Sequence, residues 1–342
     1  MLGEMKNYIL IFAGILTGLL VQSCDVHQFP DPSLKEVDFT LHLDYSTEMP
    51  LYKVVEYSEP TRAGEADDVY EVRYIVNVFD KDEASREVLH SFVFTKDDIS
   101  QLDNSVTFRI RVGEYRFVVW TDYVEQGSTA DLFYATDKFE YIGFATEEHV
   151  GNEDMRDAFT GSLTAVVSDE SLEGRVAMSR PLAKFNFVSD DVQDFILRMM
   201  ETKGSDDLEG CTVVFKYNGF MPSAYNLHSC GTTDSGAGYQ FSSRIHKLDE
   251  NEAELGFDYV FVNDHETIVS VYLEIYDASG KLLSTSRPVD VPLMRSKLTT
   301  VKGNFLTSKA SGGVFVSPGY DGEHNIVIPY RDTCKLPWHN VT

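Results

Sequence analysis

The sequence predicts an almost all-β protein made of two β-sandwiches, and three observations carry that reading. Strand-length stretches that alternate apolar and polar residues recur roughly every ten to fifteen residues through both halves of the chain. Outside the N-terminus, only residues near 190–200 have a helical period. Hydrophobic content of 43%, with 22 Phe and 18 Tyr, is ample for packed cores and excludes disorder over the whole chain.

The elements follow in order. Val37–Leu43 alternates strictly and reads as the first strand; residues 46–69, with Pro50, Pro60 and the acidic GEADD, read as a loop. Val72–Phe79 and Val88–Thr95 are the next strands, joined by the charged turn DKDEASRE. In 105–121 the pattern is sharper. Val106, Phe108, Ile110 and Val112 share one face, Gly113-Glu114 offers a two-residue turn, and Tyr115, Phe117 and Val119 continue, so a hairpin is expected. Tyr115 either folds back on the corner, as tyrosine corners do in sandwiches, or packs in the core. Further strands are read at 132–136, 159–167 and 180–188. Asp190–Met200 then places acids in a first turn and Val192, Phe195, Ile196 and Met199 on one face, the signature of an amphipathic helix. The second half returns to strands at 211–217, 239–247, 255–262, 268–276, 281–285, 298–306, 313–316 and 324–329.

The N-terminus reads differently. Ile9–Leu20 is an uncharged run of twelve residues. As a helix it would rise about 18 Å, short of the roughly 30 Å hydrocarbon core, so a secretory signal fits better than a membrane span. Met5 is a better initiator than Met1, because it removes Glu4 from ahead of Lys6. The run ends in Leu20-Val21-Gln22-Ser23-Cys24, which resembles a bacterial lipobox and makes Cys24 the expected lipidation site. An ordinary signal peptide with a chance cysteine is the alternative. Two or three acyl chains would hold a protein firmly, at about 0.8 kcal/mol per buried methylene. The expected organisation is a signal over 1–23, a polar tether over 24–36, an N-terminal sandwich over 37–189, a C-terminal sandwich over 190–330 and a tail over 331–342.

A formal net charge of −26 opposes any phosphate backbone, so no nucleic-acid partner is expected. Beyond Cys24 the chain has Cys211, Cys230 and Cys334. In an exported protein Cys211 and Cys230 could pair; simple buried thiols fit as well. No metal site is expected, since the cysteines lack zinc spacing, no HExxH occurs, and the acidic runs 65–68, 147–154 and 249–254 lack the calcium-loop pattern. No serine sits in GxSxG, and Cys230 two residues from His228 is a weak thiol–base signal, so no catalytic residues are assigned and no enzyme is expected. Gly236-Ala237-Gly238 lacks a strand-to-helix context, so no nucleotide or other cofactor is called for.

Four segments, taken in order, bear a likeness to a known family. These are Gly113–Trp120 with Asp122-Tyr123; Arg156-Asp157-Ala158-Phe159; Arg180–Phe185 (RPLAKF); and Leu298–Thr307 (LTTVKGNFLT). With the lipobox, they resemble the fimbrillin-like lipoproteins of Bacteroidales, which include major fimbrial subunits and anchoring or accessory subunits. The resemblance implies two tandem transthyretin-like β-sandwiches, a lipid-anchored and surface-exposed place on the cell outer membrane, and other fimbrial subunits or surface proteins as partners. It implies adhesion through protein contact, with strand addition to a sheet edge as the physical mode. In polymerising members cleavage after an arginine removes the first strand; Arg62 is the candidate here. The alternative, which we favour, is a surface arginine and a permanent strand Val37–Leu43, which would make the protein a cap or anchor. His324–Pro329 could be a final donor strand, but Tyr330–Thr342 continues past it and departs from the family pattern. That tail could form an intermolecular disulfide through Cys334 or be disordered. The rival function is glycan binding on exposed aromatics, with Trp120, Tyr123 and Tyr134 as candidate contacts beside Phe133 and Tyr141. The opposing reading puts Trp120 in the core.

Overall fold

The computed structural model describes residues 35–46, 70–82, 84–96, 105–203, 208 and 210–308. The first half holds β1 (Glu36–Tyr45), β2 (Tyr70–Asp80), β3 (Val88–Lys96), β4 (Ser105–Arg111), β5 (Gly113–Glu125), β6 (Tyr134–Ala135), β7 (Ile142–Phe144), β8 (Phe159–Val167) and β9 (Glu173–Met178). The second holds β10 (Leu182–Ser189), α1 (Val192–Lys203), β11 (Thr212–Tyr217), β12 (Phe220–Asn226), β13 (Gly231–Ala237), β14 (Gln240–Arg244), β15 (His246–Lys247) and β16 (Ala253–Phe261). It continues with β17 (Thr267–Tyr276), β18 (Leu282–Thr285), β19 (Val289–Leu293) and β20 (Leu298–Gly303). Among the described residues the fold is all-β apart from α1 and a 3-10 turn at Asp154–Arg156. Loop 46–69 beyond Ser46, strands 313–316 and 324–329, and the tail lie outside the described residues, as do Cys24, Arg62 and Cys334. Among the described residues no helix is long and apolar enough to cross a membrane.

The sheets stack in layers. β4-β1-β9 faces β3-β2-β5-β8 across one core, built on Phe39, Leu41, Leu43, Val76, Phe108 and Phe117. The strands β2 and β5 are buried on both faces. Their far side packs on a second core, shared with the sheet β13-β12-β7-β6 and with β10 and β16. A third core lies in the second half, between β15-β16-β10-β20, the β11–β17 sheet and α1. Alternation explains the faces. β4 buries Val106, Phe108 and Ile110, and β17 buries Val269, Val271, Leu273 and Ile275, as their period-2 patterns require.

Two expectations are corrected. The segment 105–121 is no hairpin: β4 pairs with β1, whereas β5 pairs with β2 and β8. Gly113 is a sandwich corner where the chain passes from one sheet to the opposing one, so Phe108 and Phe117 face each other across the core with ring centroids 6.0 Å apart. Tyr115 does fold back on this corner; a Cβ on Gly113 would meet its ring at 2.9 Å, and only glycine leaves that space. The boundary also moves. Leu182–Ser189, assigned above to the first sandwich, pairs with β16 and β20 of the second.

The helix stands where expected. It buries Val192, Phe195 and Met199. One of its leading acids does more than complement the dipole: Asp191, 5% exposed, accepts from the Thr307 amide at 2.7 Å and hydroxyl at 2.7 Å, tying α1 to the strand end after β20.

Candidate functional site

The N-terminal strand is central rather than marginal. β1 lies between β4, antiparallel, and β9, parallel. Phe39, Leu41 and Leu43 are buried, and Phe39 stacks on Phe117 at 5.2 Å. Its outer face is a ladder of polar partners: Thr40 with Thr107, His42 with Glu173, Asp44 with Arg175 and Glu36 with Arg109. Such exposed pairs add little energy each but leave no apolar surface to cover.

The segments that carry the sequence resemblance meet in space. Asp258 on β16 is fully buried and accepts from His149 Nε2 at 2.6 Å, Tyr217 hydroxyl at 2.6 Å, the Tyr259 amide at 2.7 Å and Arg156 Nη1. Burial alone would raise its pKa, but the Arg156 and His149 partners bring it below the ordinary carboxylate value. Arg156 also presents its carbonyl to the Tyr134 hydroxyl at 2.5 Å. One residue on, Asp157 takes both Nε and Nη2 of Arg180 at 2.8 Å. Arg180 covers the Phe159 ring at 4.6 Å, and Lys184 reaches Asp154 at 2.6 Å. Asp122, behind Trp120, forms a buried fork with Arg73 at 2.9 and 2.6 Å. Arg73 extends to Asp131 at 2.8 Å, fixing the loop after β5. Asp258, Arg156, Arg73 and Asp122 are both paired and enclosed, the condition under which buried ions persist. The Asp258 cluster and the Lys184–Asp154 pair join the two halves, while the Arg73 fork braces the first half internally.

Several candidate site residues are corrected. Trp120 and Tyr134 are each 0% exposed and pack edge-on at 5.4 Å in the shared core, so neither can receive a sugar ring. Tyr123 is half-buried against the first core. Cys211 and Cys230 do not pair: Cys211 is a buried thiol outside any disulfide, 4.0 Å from Met199 Sδ. The weak thiol–base signal dissolves with it, since His228 bonds to Arg116 instead. Among the described residues no cluster of three His, Cys, Asp or Glu is arranged to hold a metal ion.

Tyr141, named in the sequence only beside the candidate contacts, is the exposed aromatic of that cluster. Ala135, Gly143, Ala224 and Asp234 stand in register across four strands. The Tyr141 ring rests on Gly143, where a Cβ would meet it at 3.0 Å, and its hydroxyl donates to Asp234 at 2.8 Å. It is 45% exposed, a fixed aromatic on an outer sheet face. Gly143 and Ala224 are small, and that is the signal, but their register cannot be read before the strands are paired.

These features define an all-β, multi-sandwich protein whose first strand is integral and whose halves are braced by buried ion pairs. The chain belongs to the family of unknown function DUF6562, which matches residues 32–335. No curated protein matches it. Solved structures it is similar to include the fimbrial anchor protein Mfa2 from Porphyromonas gingivalis, at 11% identity and TM-score 0.39 over 73% of this chain and 82% of that one. A candidate cell adhesion protein from Bacteroides eggerthii has 13% identity and TM-score 0.42, covering 83% and 91%. A candidate adhesin from Bacteroides thetaiotaomicron has 10% identity and TM-score 0.43, covering 78% and 92%. Likeness at this level transfers no function.

Proposed function

We propose that the protein is a lipid-anchored surface protein of the outer membrane, an anchor or accessory fimbrial subunit that acts in adhesion by protein contact. The observation that carries this reading is the place of β1. Cys24, the proposed lipid site, lies twelve residues ahead of Glu36, so a lipid there would be joined directly to a strand buried between two neighbours. Losing β1 would forfeit the packing of Phe39, Leu41 and Leu43, and a Phe-to-Ala truncation alone costs about 3–5 kcal/mol. A protein that keeps β1 keeps its anchor. The sequence likeness to fimbrillin-like lipoproteins supports the fimbrial part of the reading. The test is labelling of cells with an alkynyl palmitate analogue, wild type against Cys24→Ala, followed by pull-down of the labelled protein. Label that depends on Cys24, with co-isolated surface subunits, is expected. Label-free mature protein would refute the anchor.

A second reading, glycan binding, rests on Tyr141, because its ring is exposed and held beside Gly143 by the hydroxyl bond to Asp234. A glycan array with wild type and Tyr141→Ala separates it from the first: binding lost in the variant, with an unchanged melting temperature, would favour it.

A further inference from the structure

His228 lies in the turn between β12 and β13, in the second half, yet its ring is pressed against the first. Its side chain is 1% exposed. It meets Phe79 edge-on at 4.9 Å, and Nδ1 is 2.9 Å from Arg116 Nη1 on β5. Arg116 is itself held, lying over Phe79 at 4.9 Å with Nη2 donating to the Ser85 carbonyl at 2.8 Å. A guanidinium only donates, so Nδ1 accepts, the proton of the ring is on Nε2, and the imidazole is neutral. Nε2 is buried without a hydrogen-bond partner, 3.7 Å from Glu140 Oε1.

The turn that presents this ring is stiff. Asn226 Oδ1 accepts from the amides of His228 at 2.9 Å and Ser229 at 3.1 Å. Arg295 donates to the Cys230 carbonyl at 2.7 Å, and Cys230 itself has φ 53°. Leu227 crosses to the first half, its amide donating to the Phe139 carbonyl at 2.8 Å. The turn is thus braced internally, and the Leu227 amide and the His228–Arg116 bond tie it to the first half.

We propose that this contact is a proton-sensitive latch between the two halves: protonating Nδ1 of His228 breaks the Arg116 bond, sets two cations face to face in an enclosed site, and releases the 226–230 turn from β5. The charged groups facing the ring are Arg116 from β5, Arg86 from the connection between β2 and β3, and Glu140 from the segment before β7. Two of the three are cations, and Glu140 is 40% exposed and screened by water. Burial, then Arg116, then Arg86 lower the His228 pKa from 6.5 to about 4, with Glu140 opposing. For a histidine whose pKa is depressed in the closed state, the open state binds the proton first. The latch is therefore closed above about pH 6.5 and weakens as pH falls from there towards 4.

The experiment is amide hydrogen exchange of the mature chain at pH 7 and pH 5, normalised to intrinsic rates. With pKa values of 6.5 open and about 4 closed, opening of Leu227–Thr232 rises about 20-fold at pH 5. His228→Asn, whose Oδ1 can accept from Arg116 without titrating, changes less than about 2-fold. An equal rise in both proteins, or none in wild type, overturns the latch. Should the variant not fold, the His228 ring signal in the wild-type NMR titration decides. A midpoint near 4, moving lower in Glu140→Gln, upholds the proposal; a midpoint at 6.5 or above overturns it.

Discussion

Asp258 gathers donors from both halves into a site closed to water, and the residues that bear the sequence resemblance are among those donors. Arg156 and its neighbour Asp157 read in the sequence as parts of a degenerate pattern; in the structure they are the ends of two buried ion pairs. What could not be read was the counter-ion, because Asp258 is 102 positions from Arg156 and no local spacing links them. Removing one member of a buried pair leaves an unpaired charge, which costs about 3–5 kcal/mol. Asp258→Asn should therefore lower the denaturant midpoint by that equivalent, with the slope unchanged, in a guanidinium titration. The same carboxylate has a depressed pKa, so its stabilisation is present above about 3.8 and is lost as pH falls below that value. Cys211 gives a second prediction. Its thiol is 1% exposed, so a maleimide should fail to modify it in the native protein and react fully in 6 M guanidinium. Rapid native labelling at Cys211 would contradict its burial.

Among the elements, regular alternation was legible and pairing was not. β8 and β17 lie within a residue of their expected limits, and in β17 a clean two-residue period with one buried face sets them. β13 was missed: Gly231–Ala237 is a largely exposed edge strand with no apolar period. β12 was missed because Pro222 interrupts it, at a point where the register shifts, as proline in a strand requires. The false hairpin has the same origin. Two alternating strands around a glycine look alike whether they pair with each other or face each other across a core. For β1 the structure sharpens what cleavage at Arg62 would mean. A cut there would sever the chain while β1 stays held by β4 and β9 on both edges. Incubation with an arginine-specific protease should give a nicked protein that elutes intact from a native sizing column and separates only in denaturant. Release of a free N-terminal peptide under native conditions would show instead that β1 is a removable strand.

At the scale of the whole molecule the two halves were foreseen as separate sandwiches, and their joining was not. β7 of the first half pairs with β12 of the second, Gly143 to Ala224 and Ile142 to Tyr225. Trp120, Tyr134 and Ile142 share one core with Leu182, Tyr225 and Phe261. Composition cannot reveal this, since a strand buried on one face by its own sandwich and on the other by a neighbour reads only as more apolar. β2 and β5 are such strands. Burial at about 25 cal/mol per Å² of apolar surface makes a joint of this kind a large share of a marginal total stability, so neither half should persist once it is lost. The mature chain is therefore expected to unfold in one calorimetric transition, with van't Hoff and calorimetric enthalpies equal. A fragment ending at Pro181 would expose the outward faces of β2 and β5, including Ile75, Phe79 and Trp120, and should be insoluble or molten when expressed alone. Two resolved transitions, or a soluble, cooperatively folding fragment, would show that the joint is a contact between independent domains. In an anchor, the unified body has a mechanical consequence: load entering at β1 would reach the second half through buried packing rather than through a flexible linker.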